Sequence, residues 1–596
     1  MRIMKYLKYI LLFAGLMLCS CESLYKPKNV GEVSDADMWV EPEIAQGVLI
    51  KAYDAQPNRP NSFNSNYLDA ATDNAVSNSF DQPIYRLSQG DISSTNTPLS
   101  CWGEAYNQFQ NIHLFLNKGL TDVTRYNIES TDTDRAIKQR LWSEAHYLRA
   151  WWGARLLQYY GGRTSDGQAL GYPIVTGFVT TDEAQDFANI KRASYEDCVQ
   201  QIISDCNVAS TYLPMDATLV DETYVGRATK KMSEFLKARV LFLAANPAFQ
   251  PDSIVHINGM GDYTVVDAAA YKAKWDRAID QLWSVITLTG QTSYTAMNRT
   301  DLVDMDETNP VTPAHFIFRY YYKTRGVEES MFPPFYFGSA NTQPSQNLVN
   351  AFPMKANGYP IDDPASNYND QNPYSGRDNR LALTIYRQGD KFGLNDSYID
   401  VVYGGKDSES FMNGTSRASR TGYYVHKGLS EKKDMLVPTQ AVNGLHFYPT
   451  MRMAEIYLDL AEALNESVGP TGAYTGVSKT AYDIIKEIRQ KSGGITTDAY
   501  IETVKGDKDA FRALILNERR IEFAFENFRY WDLRRRLLPL NEGIKGIRVT
   551  RDSNGGLHYA ETNVEKRDFN EVKFYYLPIP YGEIKKNPNL IQNMDY

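Results

Sequence analysis

Residues 515–536, ILNERRIEFAFENFRYWDLRRR, constrain the fold more than any other stretch of this chain. Leu514, Ile521, Ala524, Phe525, Phe528 and Trp531 recur at helical intervals, which predicts one long helix with a buried apolar face. Its other face is ionic. Glu518, Glu522 and Glu526 stack at i,i+4 and repel one another unless cations interleave. Arg519, Arg520 and Arg529 stand at the spacing to do so, and Asp532 can meet Arg535 and Arg536 in the same way. Arg534, Arg535 and Arg536 also suit the negative end of the helix dipole. Two uses of these charges compete: an ion lattice that pins neighbouring helices, or an anion site built from the arginines.

The N-terminus carries an export pattern. Arg2, Lys5 and Lys8 precede the apolar run ILLFAGLML, which is too short to span a bilayer as a mature helix. Leu18-Cys19-Ser20-Cys21 follows and resembles a lipobox, so residues 1–20 read as a lipoprotein signal peptide and Cys21 as the acylated first residue. Residues 21–35, polar and containing Pro and Gly, read as a tether from the lipid. Of the other cysteines, Cys198 and Cys206 fall on one predicted helix, roughly 12 Å apart at the helical rise, too far to bridge. With Cys101 they read as small buried residues.

Helical periodicity dominates both ends of the body. Helices are predicted over 36–54, 101–118, 133–160, 194–213, 228–245, 267–288, 449–466 and 479–491. The 133–160 helix stops at Gly161-Gly162, and Ala145, Leu148, Ala150, Ala154 and Leu157 give it a face that another helix can approach closely. This is a mainly α pattern, a TPR-like helical hairpin scaffold of loose period. Residues 290–448 differ: they are crowded with Tyr, Phe, Pro, Asn, Gly and Asp, hold only short β-type runs such as HFIFRYYY at 315–322, and read as a large irregular insertion. The expected organisation is therefore a helical region at 36–289, a loop-rich insertion at 290–448, to which the resemblance described below assigns ligand binding, and a C-terminal helical region at 449–596.

The net charge of −9 argues against nucleic acid. The seven histidines are scattered, with no HExxH, no zinc spacing, no GxSxG elbow and no P-loop. Asp301, Asp304, Asp306 and Glu307 form one acidic loop, and Asp362, Asp363 and Asp370 another; either is a solvated loop or a calcium site without EF-hand spacing. No other cofactor is implied. The positive signal is aromatic. A sugar ring stacks its C–H face on an aromatic plane and offers its hydroxyls to short polar side chains. Two stretches combine such residues: 67–102, with Tyr67, Asp69, Asp73, Asn74, Phe80, Asn96 and Trp102, and 294–337, with Tyr294, Tyr320, Tyr321, Tyr322, Phe332, Phe335 and Tyr336. Asp73, Asn74, Trp102, Tyr294 and Tyr320 are the candidate ligand-binding residues. Each ring competes with a role in the core, Trp102 in particular as the inner face of its helix.

ERRIEFAFENFRYWDLRR at 518–535 resembles the C-terminal signature of the SusD/RagB family, surface lipoproteins of Bacteroidetes-type bacteria. PSQNLVNAF at 344–352, ANGYPIDDP at 356–364, NPYSGRDNRLALTIY at 372–386 and FYYLPIPYGEIKKNPNLIQNMDY at 574–596 match in the same order, so the resemblance spans essentially the whole chain after the leader. It implies a TPR-like scaffold with an irregular ligand-binding half, no catalysis, lipid anchoring at the outer-membrane surface, and capture of oligosaccharide for a SusC-like TonB-dependent transporter. Peptide capture by a RagB-like member of the same fold, or a surface glycoside hydrolase whose paired carboxylates leave no local motif, are the alternatives.

Overall fold

A computed structural model describes residues 35–183, 189–217, 224–304, 312–393, 397–414, 416–567, 569 and 571–596. The signal peptide, Cys21, Asp306 and Glu307 lie outside the described residues.

The scaffold is a run of helices: α1 (Pro42–Asp54), α2 (Trp102–Leu114), α3 (Thr131–Tyr160), α4 (Tyr195–Ala209), α5 (Lys230–Ala245), α6 (Ala268–Thr289), α7 (Met453–Val468), α8 (Ala481–Lys491), α9 (Lys508–Glu522) and α10 (Arg529–Arg535). From α1 to α8 each packs on its successor in this order, and α9 lies against α7. This is the stacked-hairpin arrangement expected of a mainly helical TPR-like chain. Local chemistry sets the helix ends. Ser130, Ser194, Thr229, Asp267 and Asp507 each accept a hydrogen bond from a backbone N–H of the first turn of α3, α4, α5, α6 and α9. Thr480 and Asp483 close a capping box on α8.

The helices bury their apolar stripes in one core that includes Leu148, Trp152, Phe235, Trp275 and Leu460. Each such side chain contributes about 1.5–3 kcal/mol on leaving water. Cys101, Cys198 and Cys206 are buried free thiols. Among the described residues no helix is long and apolar enough to cross a membrane.

The insertion starts and ends on paired strands. With β1 (Ala75–Ser77), β2 (Phe316–Thr324), β3 (Thr342–Pro344), β4 (Gly444–Arg452), β5 (Ile544–Arg551) and β6 (Leu557–Glu565) as the strands that matter here, β2 and β4 run antiparallel from Gly444↔Thr324 to Arg452↔Phe316. A long excursion can thus leave and rejoin the scaffold at one place. It has a second core, including Met331, Phe352, Leu381, Tyr423 and Leu429. That core also draws Tyr67 and Ala75 from the N-terminal region, and Ile521, Phe525 and Val549 from the C-terminal region. The insertion is therefore fused to both ends of the chain.

Two expectations are corrected. The predicted 515–536 helix is two helices, α9 and α10, separated by a break in which Phe525 (φ 61°) and Asn527 (φ 67°) adopt left-handed backbone. A left-handed residue cannot continue a right-handed helix. The break turns Phe525 into the second core, while Leu514 and Leu533 stay in the first. The C-terminal region is also not purely helical: β5 and β6 form an antiparallel hairpin from Ile544↔Glu565 to Arg551↔Leu557.

The ion lattice exists, but its cations come mostly from elsewhere. Glu518 pairs with Arg380 and Arg489, each at 2.7 Å. Glu522 pairs with Arg452 at 2.8 Å and Arg380 at 3.2 Å. Glu526 pairs with Lys427 at 2.6 Å and Arg452 at 2.8 Å. Arg380 and Lys427 belong to the insertion, so these buried carboxylates bolt it to the scaffold. Arg519 meets Asp459 and Asp532, and Arg535 meets Glu462 and Asp532, which ties α9 and α10 to α7. Arg519, Arg520, Arg529, Arg535 and Arg536 are thereby spent on carboxylates, and buried Arg534 donates to Tyr530 O at 3.2 Å and stacks on the Tyr530 ring, so these charges serve the lattice.

Candidate functional site: an aromatic surface across two loops

Strand β1 pairs with β3 in antiparallel register, Ala75↔Pro344 and Ser77↔Thr342. The pairing brings together the two aromatic stretches singled out in the sequence. Past its end, the Asn78 backbone N–H donates to Asn341 O at 2.9 Å, and Asn78 Nδ2 donates to Ser339 O.

The expected ligand residues are not what this junction exposes. Asp73 is buried and accepts from Arg529 Nε and Nη2, each at 2.8 Å, with Arg520 Nη2 at 2.9 Å. Burial alone would raise its carboxyl; Arg520 and Arg529 overcome that and hold it well below the usual carboxylate range. Asn74 is fully buried between Asp69, to which its Nδ2 donates at 3.0 Å, and Arg520 Nε, from which its Oδ1 accepts at 2.8 Å. Trp102 is a core residue, its ring edge-on to Tyr160 at 5.1 Å. Tyr294 is buried; its hydroxyl donates to Glu522 at 3.1 Å and shares a hydrogen bond with Ser492 at 2.7 Å. Tyr320, half-buried on β2, donates its hydroxyl to Gln56 Oε1 at 2.7 Å. Asp73, Asn74, Trp102 and Tyr294 are thus enclosed and internally partnered, and the structure does not bring the five together on one surface.

Other rings on the same stretches stay in solvent. Phe80 is 49% exposed, Phe335 46% and Phe337 49%. Tyr398 and Met412 extend this surface in the insertion, at 52% and 54%. Phe335 packs edge-on against Tyr336 at 5.2 Å and Phe411 at 5.8 Å. Lys406 Nζ lies 4.8 Å from the Phe335 ring centre and donates to Tyr336 Oη at 2.7 Å and Tyr398 O at 2.8 Å, so one ammonium organises three aromatic residues. Arg420 lies 4.5 Å from the Phe80 ring centre. Asn413 Nδ2 donates to Pro334 O at 2.9 Å.

The loop is held rigidly. Ser339, Ala340 and Asn341 donate their backbone N–H groups to Glu329, Phe332 and Ser330, at 2.9, 3.1 and 2.8 Å. Phe337 sits at φ 66°, a conformation that costs a side-chain-bearing residue about 1–2 kcal/mol. The clamped backbone overrides that cost and leaves the ring in water. An apolar ring displayed this way beside amides is fit to stack on a ligand, not to stabilise the fold.

Among the described residues no group of three or more His, Cys, Asp or Glu side chains could hold a metal ion. Asp301 accepts instead from the Asn298 backbone N–H at 2.8 Å and meets His315 at 3.2 Å.

Comparison with known proteins agrees with this architecture. A family model described as the SusD family matches residues 309–596, and one described as starch-binding associating with outer membrane matches residues 29–241. The chain belongs to the SusD/RagB family. SusD-like protein P38 of Formosa agariphila is 24% identical over 546 residues, covering 88% of this chain and 90% of that protein. SusD-like protein P2 of the same organism is 31% identical over 172 residues, a match that spans 28% of that protein's length. A SusD-like protein of Bacteroides fragilis superposes over 95% of this SusD/RagB chain and 99% of its own, with a TM-score of 0.69 at 21% identity. A SusD-like carbohydrate binding protein from the same species gives a TM-score of 0.67 at 21% identity over 93% of this chain and 99% of its own. At those identities the likeness is one of fold.

Proposed function

We propose that this protein is a cell-surface glycan-binding lipoprotein, anchored through Cys21, that captures oligosaccharides without cleaving them and passes them to a SusC-like TonB-dependent outer-membrane transporter. The observation that carries the reading is the exposed ring set Phe80, Phe335, Phe337 and Tyr398 on a loop junction clamped by backbone hydrogen bonds. Rings held ready in solvent lose little entropy on binding. Asn78, Asn341 and Asn413 stand beside them; their amide nitrogens already donate to Ser339 O, Ser65 O and Pro334 O, which leaves the Asn78 and Asn413 amide oxygens to accept from a sugar hydroxyl. The carbohydrate-binding description of one structural neighbour, and that of another as a surface glycan-binding protein from Bacteroides fluxus, support the ligand class.

The test is calorimetry of the purified protein against a panel of neutral oligosaccharides, repeated with Phe335→Ala and Phe337→Ala. A glycan that binds the wild type and loses affinity in both variants, with unchanged melting temperature, supports the reading. Equal affinity in both variants places the site elsewhere. A fall in glycan chain length on incubation would mark a hydrolase instead.

A further inference from the structure

The break between α9 and α10 also shapes a cavity. It lies among α3, α5, α7, the break and β4, and has a volume of about 160 Å³. Trp151, Arg155, Tyr159, Tyr448, Phe528 and Trp531 form much of its wall. Trp151, Arg155, Tyr448, Phe528 and Trp531 are half-buried, so the cavity is open to solvent along them.

Four arginines line it. Three are matched by carboxylates: Arg239 by Glu455 at 2.6 Å, Arg519 by Asp532 at 3.2 Å, and Arg535 by Glu462 at 2.7 Å. Arg155 differs. No described carboxylate lies within 4.0 Å of it. Its Nη2 donates to Tyr159 Oη at 2.8 Å, and its guanidinium stands 4.6 Å from the Tyr159 ring centre and 5.9 Å from that of Trp151. The Trp531 ring packs on Tyr159 at 5.0 Å. A half-buried guanidinium is thus oriented by aromatic rings with no described carboxylate in contact, while the four carboxylates of the wall, Glu455, Asp459, Glu526 and Asp532, are each paired with other cations. Two-point recognition of a carboxylate is the chemistry a guanidinium performs best.

We propose that this cavity is a second ligand subsite, one that takes a carboxylated sugar residue, its carboxylate on Arg155 and its ring against Trp151 and Trp531. The inference rests on the reading of the protein as a glycan binder and specifies an acidic glycan as its substrate. A peptide fits this wall less well. Its main chain would need free backbone partners, but the wall strand β4 is paired with β2 through Tyr448↔Tyr320 and Pro449↔Arg319, and Pro449 carries no N–H.

The experiment titrates the full chain in detergent with digalacturonate, with galactobiose as the neutral counterpart, and with a tripeptide bearing a free C-terminal carboxylate. Calorimetry gives the affinity, and quenching of tryptophan fluorescence reports on Trp151 and Trp531. Digalacturonate is expected to bind and quench, and Arg155→Gln to weaken it by about tenfold or more. Galactobiose is expected to be indifferent to Arg155→Gln. Trp531→Phe provides a second variant that keeps a ring in the wall and is expected to retain affinity while losing part of the quench. Equal binding of digalacturonate to wild type and Arg155→Gln, or equal binding of galactobiose and digalacturonate to the wild type, overturns the subsite. Tripeptide binding that matches digalacturonate and is lost in Arg155→Gln overturns the sugar assignment. Phe335→Ala separates the two claims: neutral glycan binding lost there but digalacturonate binding unchanged in Arg155→Gln sinks the subsite alone.

Discussion

Arg529 grips Asp73 through two nitrogens at once, Nε and Nη2, each 2.8 Å from a carboxylate oxygen, and the two residues are 456 apart in the chain. Arg520 completes the cluster from α9. All three groups are largely out of water. Removing the carboxylate strands two cations, so Asp73→Ala is expected to destabilise by about 3–5 kcal/mol. Urea denaturation checks this. If the variant unfolds at the wild-type midpoint, the cluster does not hold the N-terminal loop to α9 and α10.

The exposed rings make the opposite prediction. Phe335→Ala is expected to leave the melting temperature near that of the wild type and to cost about 1 kcal/mol or more of glycan affinity, roughly fivefold in Kd. Phe337→Gly is sharper. It relieves the left-handed strain at φ 66° and is expected to preserve or raise the melting temperature while binding falls. A drop in both would mean that the Phe337 ring is structural.

Acid should act in two windows. Burial would raise the Glu522 carboxyl, but Arg452 and Arg380 bring it down to about 2. The folded state therefore binds this proton less readily than the unfolded chain. The stability it supplies is complete above the ordinary value of 4.5 and is lost as pH falls from there towards 2. His113 is lowered from 6.5 to about 4, first by burial and then by Arg149. Here too the unfolded chain binds the proton first, so stability declines as pH drops from 6.5 to 4. Melting curves at pH 7.5, 5.5, 4 and 2.5 should fall in order. His113→Gln should flatten the upper window, and Glu522→Gln the lower one.

Cys21→Ala is expected to release the protein from the outer membrane, because the proposed anchor is the acyl group on that sulfur. Fractionation with high-salt, detergent-free washes reads the outcome. A variant that stays with the membrane would show that something other than this lipid holds it.

The helices were legible from their 3.6-residue patterns, and α3 to α6, α8 and α9 also from a capping residue; α3 and α6 lie within two residues of their expected ends. The break in 515–536 was not, because the apolar pattern runs on through it and Phe525 gives no local sign of a left-handed backbone. Nor could spacing reveal that Glu518 would meet Arg380 and Arg489, since pairing across a fold leaves no periodic trace. The hairpin of β5 and β6 did leave one, alternating Ile547 and Val549 before Asn554-Gly555, but it was hidden beside strong helical signals. At the proposed site both stretches were visible, with Phe80 and Phe335 among their rings, but nothing in the sequence set those rings above Tyr294 or Tyr320. Tyr294 and Phe335 sit in similar company in the sequence. Only the tertiary structure decides that one hydroxyl is spent on Glu522 while the other ring is left in water.

The pairing of Asp73 with Arg529 also sets an order of assembly. A chain made from its N-terminus forward completes Asp73 and β1 early, but β3, Arg520 and Arg529 come hundreds of residues later. Until they arrive, the loop that carries Phe80 has neither its neighbouring strand nor its counter-charge. The clasp on Asp73 can therefore close only once α10 has been made, and any chain that stops short of α10 lacks it, however complete its earlier helices.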